Sequence, residues 1–317
     1  MAKRECIWGA KRLGAPTTRD PSVPATMHIA KYPRTPHLEG SGIQTDDDPN
    51  VASDRELAAR TDCVWVVEEK LDGANAGLSF DGAGELYLQS RGHFLDVDGR
   101  PHRERHFNDF KTWARMHEGA LLERLEDRYT VYGEWMGAVH TQFYDRLPAL
   151  FLEFDVLDRA EDRWLSTRER DRLLAGLPLP PVPVLHEGPF PDRAAREGMI
   201  GPSLYRSDDW RGALERMVDR SDAKLETVLG QIETGDVSEG LYLKGETVTE
   251  TTLRFKHVRE GFVQALQAGD THWQARPIVR NACAPGVDFL DPNGVAPRVD
   301  RYAAERVGGG EPTAAVS

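Results

Sequence analysis

Short strand patterns separated by tight turns constrain the fold of this chain more than any other feature. Val64 to Glu69 is a run of β-branched and apolar residues, and a second strand pattern covers Ala76 to Phe80 after a Gly-containing turn. Residues 81–84 read Asp-Gly-Ala-Gly, which is typical of a hairpin, and Glu85 to Ser90 then alternates between apolar and polar residues. A hairpin so close to a buried strand favours antiparallel sheets.

Helix patterns occur between further strand patterns. Glu104 to Glu126 has apolar residues at helical spacing, and Ser166 with Glu169 forms a capping box at the start of a largely helical section, residues 166–233. The other expected elements are strands at 129–135, 149–157, 240–244 and 251–256 and a helix at 259–268. This mixture predicts an α+β fold with antiparallel sheets flanked by helices.

The two ends of the chain differ from its middle. Residues 1–26 lack hydrophobic periodicity, so we expect a disordered extension there. Residues 27–258 hold the patterns of one domain. Residues 259–317 are expected to form a short helix and a flexible tail, because the sequence ends in a Gly-rich segment.

Acidic residues outnumber basic ones, 52 against 40, which gives a formal net charge of −12. Nonspecific binding to nucleic acid relies on Lys and Arg, so a polyanion would have to bind in a local basic groove. The longest apolar run, Pro148 to Leu157, contains two carboxylates, and we therefore expect no membrane partner. Three scattered cysteines and an N-terminus without an apolar segment predict a cytoplasmic protein.

The segment most informative about chemistry is Lys-Leu-Asp-Gly-Ala-Asn at 70–75, where a lysine ends an apolar strand and a polar turn follows. Taken alone, this composition is equally typical of a simple β-turn. Five groups follow it in order: Ser-Arg-Gly at 90–92, Tyr-Gly-Glu-Trp at 132–135, Phe-Leu-Glu-Phe-Asp at 151–155, Glu-Gly-Leu-Tyr-Leu-Lys at 239–244 and Arg-Phe-Lys at 254–256. The ordered set resembles the covalent nucleotidyltransferase superfamily, and its form is similar to ATP-dependent RNA ligases of the phage RNA-ligase-2 type.

The resemblance implies a nucleotidyltransferase (ligase adenylation domain) fold for residues 27–258. It implies RNA repair by ATP-dependent joining of RNA 5′-phosphate and 3′-hydroxyl ends, with Mg²⁺ or Mn²⁺ as the metal. RNA and ATP are the expected partners, and an end-processing kinase or phosphatase is left open. Only about 60 residues follow Lys256, which is short for a closed five-stranded barrel, so no OB domain is evident.

Lys70 is the expected nucleophile, which would attack the α-phosphorus of ATP and hold AMP through a P–N bond. A free lysine has a pKa near 10.4 and is protonated at neutral pH, so we expect a nearby cation, burial and a metal to lower it. Lys256 and Lys244 complete the expected catalytic set by contacting the α-phosphate. Asp72 and Glu239 carry the hard oxygen atoms that suit Mg²⁺.

The resemblance also implies roles in nucleotide binding. Phe154 would stack on adenine, Glu134 would accept hydrogen bonds from the ribose, and Arg91 would bind phosphate. The full expected set is Glu69, Lys70, Asn75, Arg91, Glu134, Phe154, Lys244, Arg254 and Lys256. The segment Lys-Tyr-Pro-Arg-Thr-Pro-His-Leu-Glu-Gly-Ser at 31–41 is similar to the start of bacterial members of this group, but no role follows from it.

Other functions stay open on the sequence. A DNA ligase or a GTP-dependent capping-type enzyme would share the same motifs, and comparing ATP with GTP and RNA with DNA nicks separates them. A non-catalytic AMP or ATP sensor would bind nucleotide equally well after Lys70→Ala. A structural protein with coincidental motifs would show no thermal shift with nucleotide.

Overall fold

The computed structural model describes residues 28–42, 50–268 and 273–303, without the side chains of residues 265–268 and Trp273. Its strands are β1 (His37–Leu38), β2 (Val51–Ala52), β3 (Val64–Lys70), β4 (Ala74–Phe80), β5 (Leu86–Ser90), β6 (Phe94–Leu95), β7 (Tyr129–Trp135), β8 (Phe151–Asp158), β9 (Arg163–Trp164), β10 (Val184–Gly188), β11 (Gly240–Glu246) and β12 (Thr251–Val258). The expected extension at 1–26 and the end of the expected tail lie outside the described residues.

Helices lie between and beside these strands. The α-helices are α1 (Asp54–Ala58), α2 (Asn108–Met116), α3 (Glu118–Leu125), α4 (Thr167–Leu174), α5 (Arg193–Met199), α6 (Trp210–Val218), α7 (Leu225–Leu229) and α8 (Glu260–Ala268), and 3₁₀ helices cover His102–Phe107 and Trp273–Ala275. The long helix expected over 104–126 is divided into three parts. In the described part of the chain, no helix combines the length and the apolar character needed to cross a bilayer.

The strands form two six-stranded sheets within the described ranges. The first sheet has the order β10-β3-β11-β12-β1-β2, and the second has the order β6-β5-β4-β7-β8-β9. Pairing is antiparallel except where β1 lies parallel to β12 and to β2. The predicted α+β class with sheets flanked by helices is therefore confirmed, with a short parallel edge that strand patterns alone do not reveal.

The turn at 71–73 joins the two sheets and so determines where they meet. β3 is an inner strand of the first sheet with Trp65, Val66 and Val67 almost fully buried, and β4 is an inner strand of the second. A Cβ atom at Gly73 would lie 2.7 Å from both the carbonyl oxygen of Trp135 and a sulfur atom. Only glycine fits at this crossing, and the end of β3 is thereby held beside the start of β4.

The C-terminal segment begins with α8, as expected from residue 259, and the described residues after it pack against the rest of the chain. Phe289 and Val295 belong to the main hydrophobic core. Arg298 is buried and forms ion pairs with Glu153 at 2.6 Å and with Asp171 at 2.5 Å. Residues 276–303 show no regular helix or strand pattern, so the sequence does not indicate that this segment packs on the core through apolar side chains and buried charge pairs.

Candidate functional site

A cleft of about 680 Å³ lies where the two sheets meet. Lys70 enters it from β3, Tyr242 from β11 and Lys256 from β12 of the first sheet. Glu134 enters from β7 and Phe154 from β8 of the second sheet. Motifs that are almost 200 residues apart in the chain therefore face one space, because the strands that carry them border this cleft.

Most of the expected site residues line this cleft, and others lie behind its wall. The lining includes Glu69, Lys70, Asn75, Arg91, Glu134, Phe154 and Lys256. Glu239 reaches it through an ion pair between its Oε1 and Lys70 Nζ, 2.9 Å apart. Asp72, Lys244 and Arg254 do not line the cleft, because their side chains contact other protein groups instead.

Lys70 is surrounded by carboxylates rather than by cations. Burial disfavours its ammonium form, but the negative charges of Glu239, Glu134 and Asp72 outweigh burial and raise the pKa of Lys70 above its usual value. The expectation that a neighbouring cation lowers this pKa is therefore corrected for the nucleotide-free protein. The physical reason is that three acidic side chains lie near one amine, so that Lys70 carries its proton until other charges enter the site.

The carboxylates also perturb one another. Burial raises the pKa of Glu134 to about 8; Lys70 opposes this shift, while the charges of Glu239 and Asp72 add to it. Burial, together with the charge of Glu239, raises the pKa of Asp72 to about 7, against hydrogen bonds from two backbone N–H groups. A divalent cation prefers oxygen ligands and would favour the ionised form of these buried carboxyl groups.

The protein by itself does not complete a metal site. Among residues 28–42, 50–268 and 273–303, no three His, Cys, Asp or Glu side chains converge closely enough to hold a metal ion. Oδ2 of Asp72 accepts hydrogen bonds from the backbone N–H groups of Thr141 at 2.6 Å and Gln142 at 2.7 Å. Asp72 thus anchors the turn after β3, and Mg²⁺ or Mn²⁺ would need oxygen atoms from phosphate and water beside Glu239 and Asp72.

Two aromatic rings from different sheets face each other across the cleft. The ring centroids of Phe154 and Tyr242 are 6.4 Å apart, and the ring planes are inclined by 30°. A base between two rings needs about 7 Å, which is twice a van der Waals contact of about 3.5 Å, so a base would have to part these rings slightly. Sequence reasoning missed Tyr242, although its position opposite Lys256 in the β11–β12 ladder places both side chains on one face.

Polar groups around the base site also remain available to a ligand. Oδ1 of Asn75 is buried and has no hydrogen-bond partner among the described residues, which is costly unless a ligand or water supplies one. The Glu69 carboxylate accepts a hydrogen bond from Leu204 N–H at 3.4 Å, and burial raises its pKa to about 7. Arg91 is exposed at the mouth of the cleft.

Lys244 and Arg254 lie behind the cleft wall rather than in its lining, and their expected contact with nucleotide stays a prediction. Nζ of Lys244 is fully buried, lies 2.7 Å from Glu68 Oε2 and donates to the carbonyl oxygen of Phe154. Nε of Arg254 donates to Asp155 Oδ2 at 2.7 Å. Both cations are drawn inward by buried carboxylates, and sequence spacing gives no sign of such pairing.

A family model for RNA ligases matches residues 64–263, which is more than half of the chain. The chain belongs to the RNA ligase family. The match contains each of the six motifs, so the family expected from their order is confirmed. In this RNA ligase family member, the segments around Tyr32 and Arg298 lie outside the matched residues.

Solved structures of the RNA ligase from Naegleria gruberi are similar to this family member. One variant with ATP and Mn shares 17% sequence identity at a TM-score of 0.47, over 76% of this chain and 59% of that chain. Another variant with AMP and Mn shares 16% identity at a TM-score of 0.45, over 75% of this chain and 64% of that chain. The chain spans less than two thirds of the length of these Naegleria chains, and no curated protein matches it.

Proposed function

We propose that the protein is an ATP-dependent RNA ligase that joins RNA 5′-phosphate and 3′-hydroxyl ends through a covalent lysyl-AMP and an RNA-adenylate, as in RNA repair. The observation that carries the proposal is the position of Lys70, whose amine lies in the cleft between the sheets and contacts Glu239. The membership of the chain in the RNA ligase family supports the same reaction class.

In the first step, Nζ of Lys70 attacks the α-phosphorus of ATP, a P–N bond forms, and the bond to pyrophosphate breaks. Nζ must first lose a proton, and the 2.9 Å contact with Glu239 Oε1 offers a route for it. A divalent cation bound with the triphosphate would neutralise charge at phosphorus and compensate the carboxylates that raise the pKa of Lys70.

The cleft walls supply the remaining parts of this step. Phe154 and Tyr242 would hold adenine between their rings, and the unpartnered Oδ1 of Asn75 would accept a hydrogen bond from the nucleotide. Lys256 lines the cleft and would stabilise negative charge at the α-phosphate. Glu134, whose Oε1 accepts from Gly73 N–H at 3.1 Å, would accept from the ribose with its other oxygen.

The next two steps use the same cleft. AMP passes from Lys70 to the 5′-phosphate of an RNA end, and the 3′-hydroxyl of a second end then attacks that phosphate and releases AMP. Arg91 stands exposed at the mouth of the cleft, where its planar guanidinium would bind the 5′-phosphate. Because the net charge is −12, RNA binding would depend on local cations such as Arg91 and would weaken as salt increases.

The test is strand joining on a nicked RNA duplex with a labelled 5′-phosphate, using ATP and Mg²⁺ or Mn²⁺. We expect the wild-type protein and Lys224→Ala, which changes an exposed lysine, to seal the nick, and Lys70→Ala to leave it open. Sealing of DNA but not RNA would assign a DNA ligase, and activity with GTP alone would assign a capping-type enzyme. Nucleotide binding without any product would assign a sensor.

A further inference from the structure

A segment outside the family match bridges the two sheets across the mouth of the cleft. We call residues 30–38 the strap. At its start, the carbonyl oxygen of Ala30 accepts hydrogen bonds from Gln89 Nε2 at 2.8 Å and from Tyr132 OH at 2.6 Å, both in the second sheet. At its end, β1 pairs with β12 of the first sheet, and Lys256 N–H donates to the carbonyl oxygen of Pro36 at 2.9 Å. The strap therefore fixes the backbone of Lys256 directly.

Between these ends, Tyr32 and Thr35 of the strap enter the cleft and contact Tyr242. Tyr32 OH donates to Asp155 Oδ2 at 2.8 Å and lies 3.1 Å from Tyr242 OH. The Thr35 hydroxyl contacts Tyr242 OH in turn. The ring of Tyr32 also packs edge-on against Phe154, with centroids 5.1 Å apart. Strap residues thus contact both rings that face the base site.

The direction of this hydrogen-bond chain follows from its last member. Although burial opposes ionisation, the charges of Arg254 and Lys244 lower the pKa of Asp155 to about 2. An ionised carboxylate only accepts hydrogen bonds, so the single proton of Tyr32 OH goes to Asp155. Tyr242 OH must then donate to Tyr32, and Thr35 must donate to Tyr242. Each hydroxyl has one orientation, and the ring of Tyr242 is held at its phenolic end.

We propose that Tyr32 is a positioning residue for the nucleobase site, which holds the ring of Tyr242 opposite Phe154 so that the two rings form the walls for a stacked purine. This inference rests on the proposed function, because it takes the nucleoside triphosphate as the ligand of the cleft. When the ring of Tyr242 is fixed, binding of a purine is favoured over binding of a pyrimidine, because the larger purine ring makes more stacking contact. Loss of the Tyr32 hydroxyl lets the ring of Tyr242 tilt, and the preference for ATP over UTP then narrows.

The test measures binding of the α,β-methylene analogues of ATP and UTP by calorimetry, since adenylyl transfer is blocked in these probes. We expect Tyr32→Phe to bind the ATP analogue about tenfold more weakly, which corresponds to one hydrogen bond to a charged acceptor, and to lose part of the preference over the UTP analogue. Tyr302→Phe is the matched control, because it removes a tyrosine hydroxyl that donates to Glu187 at 2.7 Å far along the chain. We expect it to bind both analogues as wild type does.

A second pair of variants keeps the inference testable if Tyr32→Phe does not fold. Thr35→Val removes the donor to Tyr242 and should weaken binding of the ATP analogue, and Thr35→Ser should restore it because the hydroxyl is kept. Equal affinities and equal base preference in Tyr32→Phe and Tyr302→Phe would overturn the inference, as would Thr35→Ser binding no better than Thr35→Val. In a parallel incubation with ATP and Mg²⁺, wild-type protein that forms the Lys70 adduct leaves the proposed function standing, whereas wild-type protein without an adduct rejects that function itself.

Discussion

Nζ of Lys70 lies 2.9 Å from Oε1 of Glu239, at the point where the first sheet meets the second. The candidate nucleophile is therefore an ammonium ion paired with a carboxylate. In the proposed mechanism, this pairing would keep the amine protonated until a triphosphate with its cation changes the local charge. The proposed chemistry depends on that change, and the predictions below follow from it.

Glu239→Gln should move the pH dependence of self-adenylylation. Only the neutral amine attacks phosphorus, so the rate should increase with pH until Lys70 is deprotonated. Glu239 raises the pKa of Lys70, so its replacement by a neutral amide should shift the rising limb to lower pH by about one unit. The initial rate of labelling with ATP at saturating Mg²⁺, taken from pH 5 to 10, gives the midpoint of the pH dependence even if the maximal rate falls. An unchanged midpoint would show that Glu239 does not control the protonation of Lys70.

Phe154→Ala should weaken ATP binding more than it slows chemistry. Stacking of a base on an aromatic side chain contributes about 1–3 kcal/mol, so KM for ATP should increase roughly 5- to 150-fold. Phe154→Tyr keeps the ring and serves as the matched variant, with a KM close to that of wild type. Steady-state pyrophosphate release over a range of ATP concentrations separates KM from kcat. Equal KM values for the two variants would show that the ring of Phe154 does not stack on the base.

The stability of the nucleotide-free protein should fall as the pH increases from about 5 to 8. The pKa values of Glu134, Asp72 and Glu69 are raised to about 8, 7 and 7, so the folded state binds more protons than the unfolded state in this window. The stability that each group contributes is fully present below its pKa in the unfolded state. It is lost as the pH rises through its pKa in the folded state, by up to about 1.4 kcal/mol per pH unit.

Thermal unfolding at pH 5 and pH 8 measures this loss. We expect Glu134→Gln to reduce the difference in Tm between the two pH values, because a neutral amide at this position has no proton to lose. Glu123→Gln changes a carboxylate on the exposed side of α3 and should leave the difference as it is in wild type. A Tm that rises from pH 5 to pH 8 in the wild-type protein would contradict the burial of these carboxylates in the neutral form.

Arg298→Ala should destabilise the protein by about 3–5 kcal/mol, because it leaves the buried carboxylates of Glu153 and Asp171 without this partner. Arg172→Ala is the matched control, since the Arg172 side chain is 63% exposed and lies 3.9 Å from Glu169; it should cost at most about 1 kcal/mol. Urea unfolding gives both free energies. Similar values for the two variants would mean that the C-terminal segment is not attached through Arg298.

Local patterns predicted much of the fold because they act within one strand or helix. The strand expected at 129–135 has the same bounds in the structure, and Ser166 caps α4 by accepting from Glu169 N–H, as its capping box predicts. The helix expected over 104–126 is interrupted at His117, where α2 ends and α3 begins. The type of each element was therefore easier to predict from the sequence than whether a helix runs without a break.

The sequence predicted the candidate site only in part, because contacts between residues far apart in the chain determine which side chains enter the cleft. Motif order predicted Lys70, Phe154 and Lys256, which line one cleft. The spacing of Lys244 could not reveal that Glu68 draws its ammonium inward across the neighbouring strand. The sequence also showed no sign of the proposed role of Tyr32, because that role depends on hydrogen bonds to residues more than 100 positions away.

The account depends most directly on a covalent bond between Lys70 and AMP. The measurement is peptide mass mapping after the purified protein is incubated with Mg²⁺ and ATP, with a matched sample treated with acid to break P–N bonds. We predict one adenylyl group per chain, located on Lys70 and lost after acid treatment. An adduct on another residue, or pyrophosphate release without any adduct, would contradict the account.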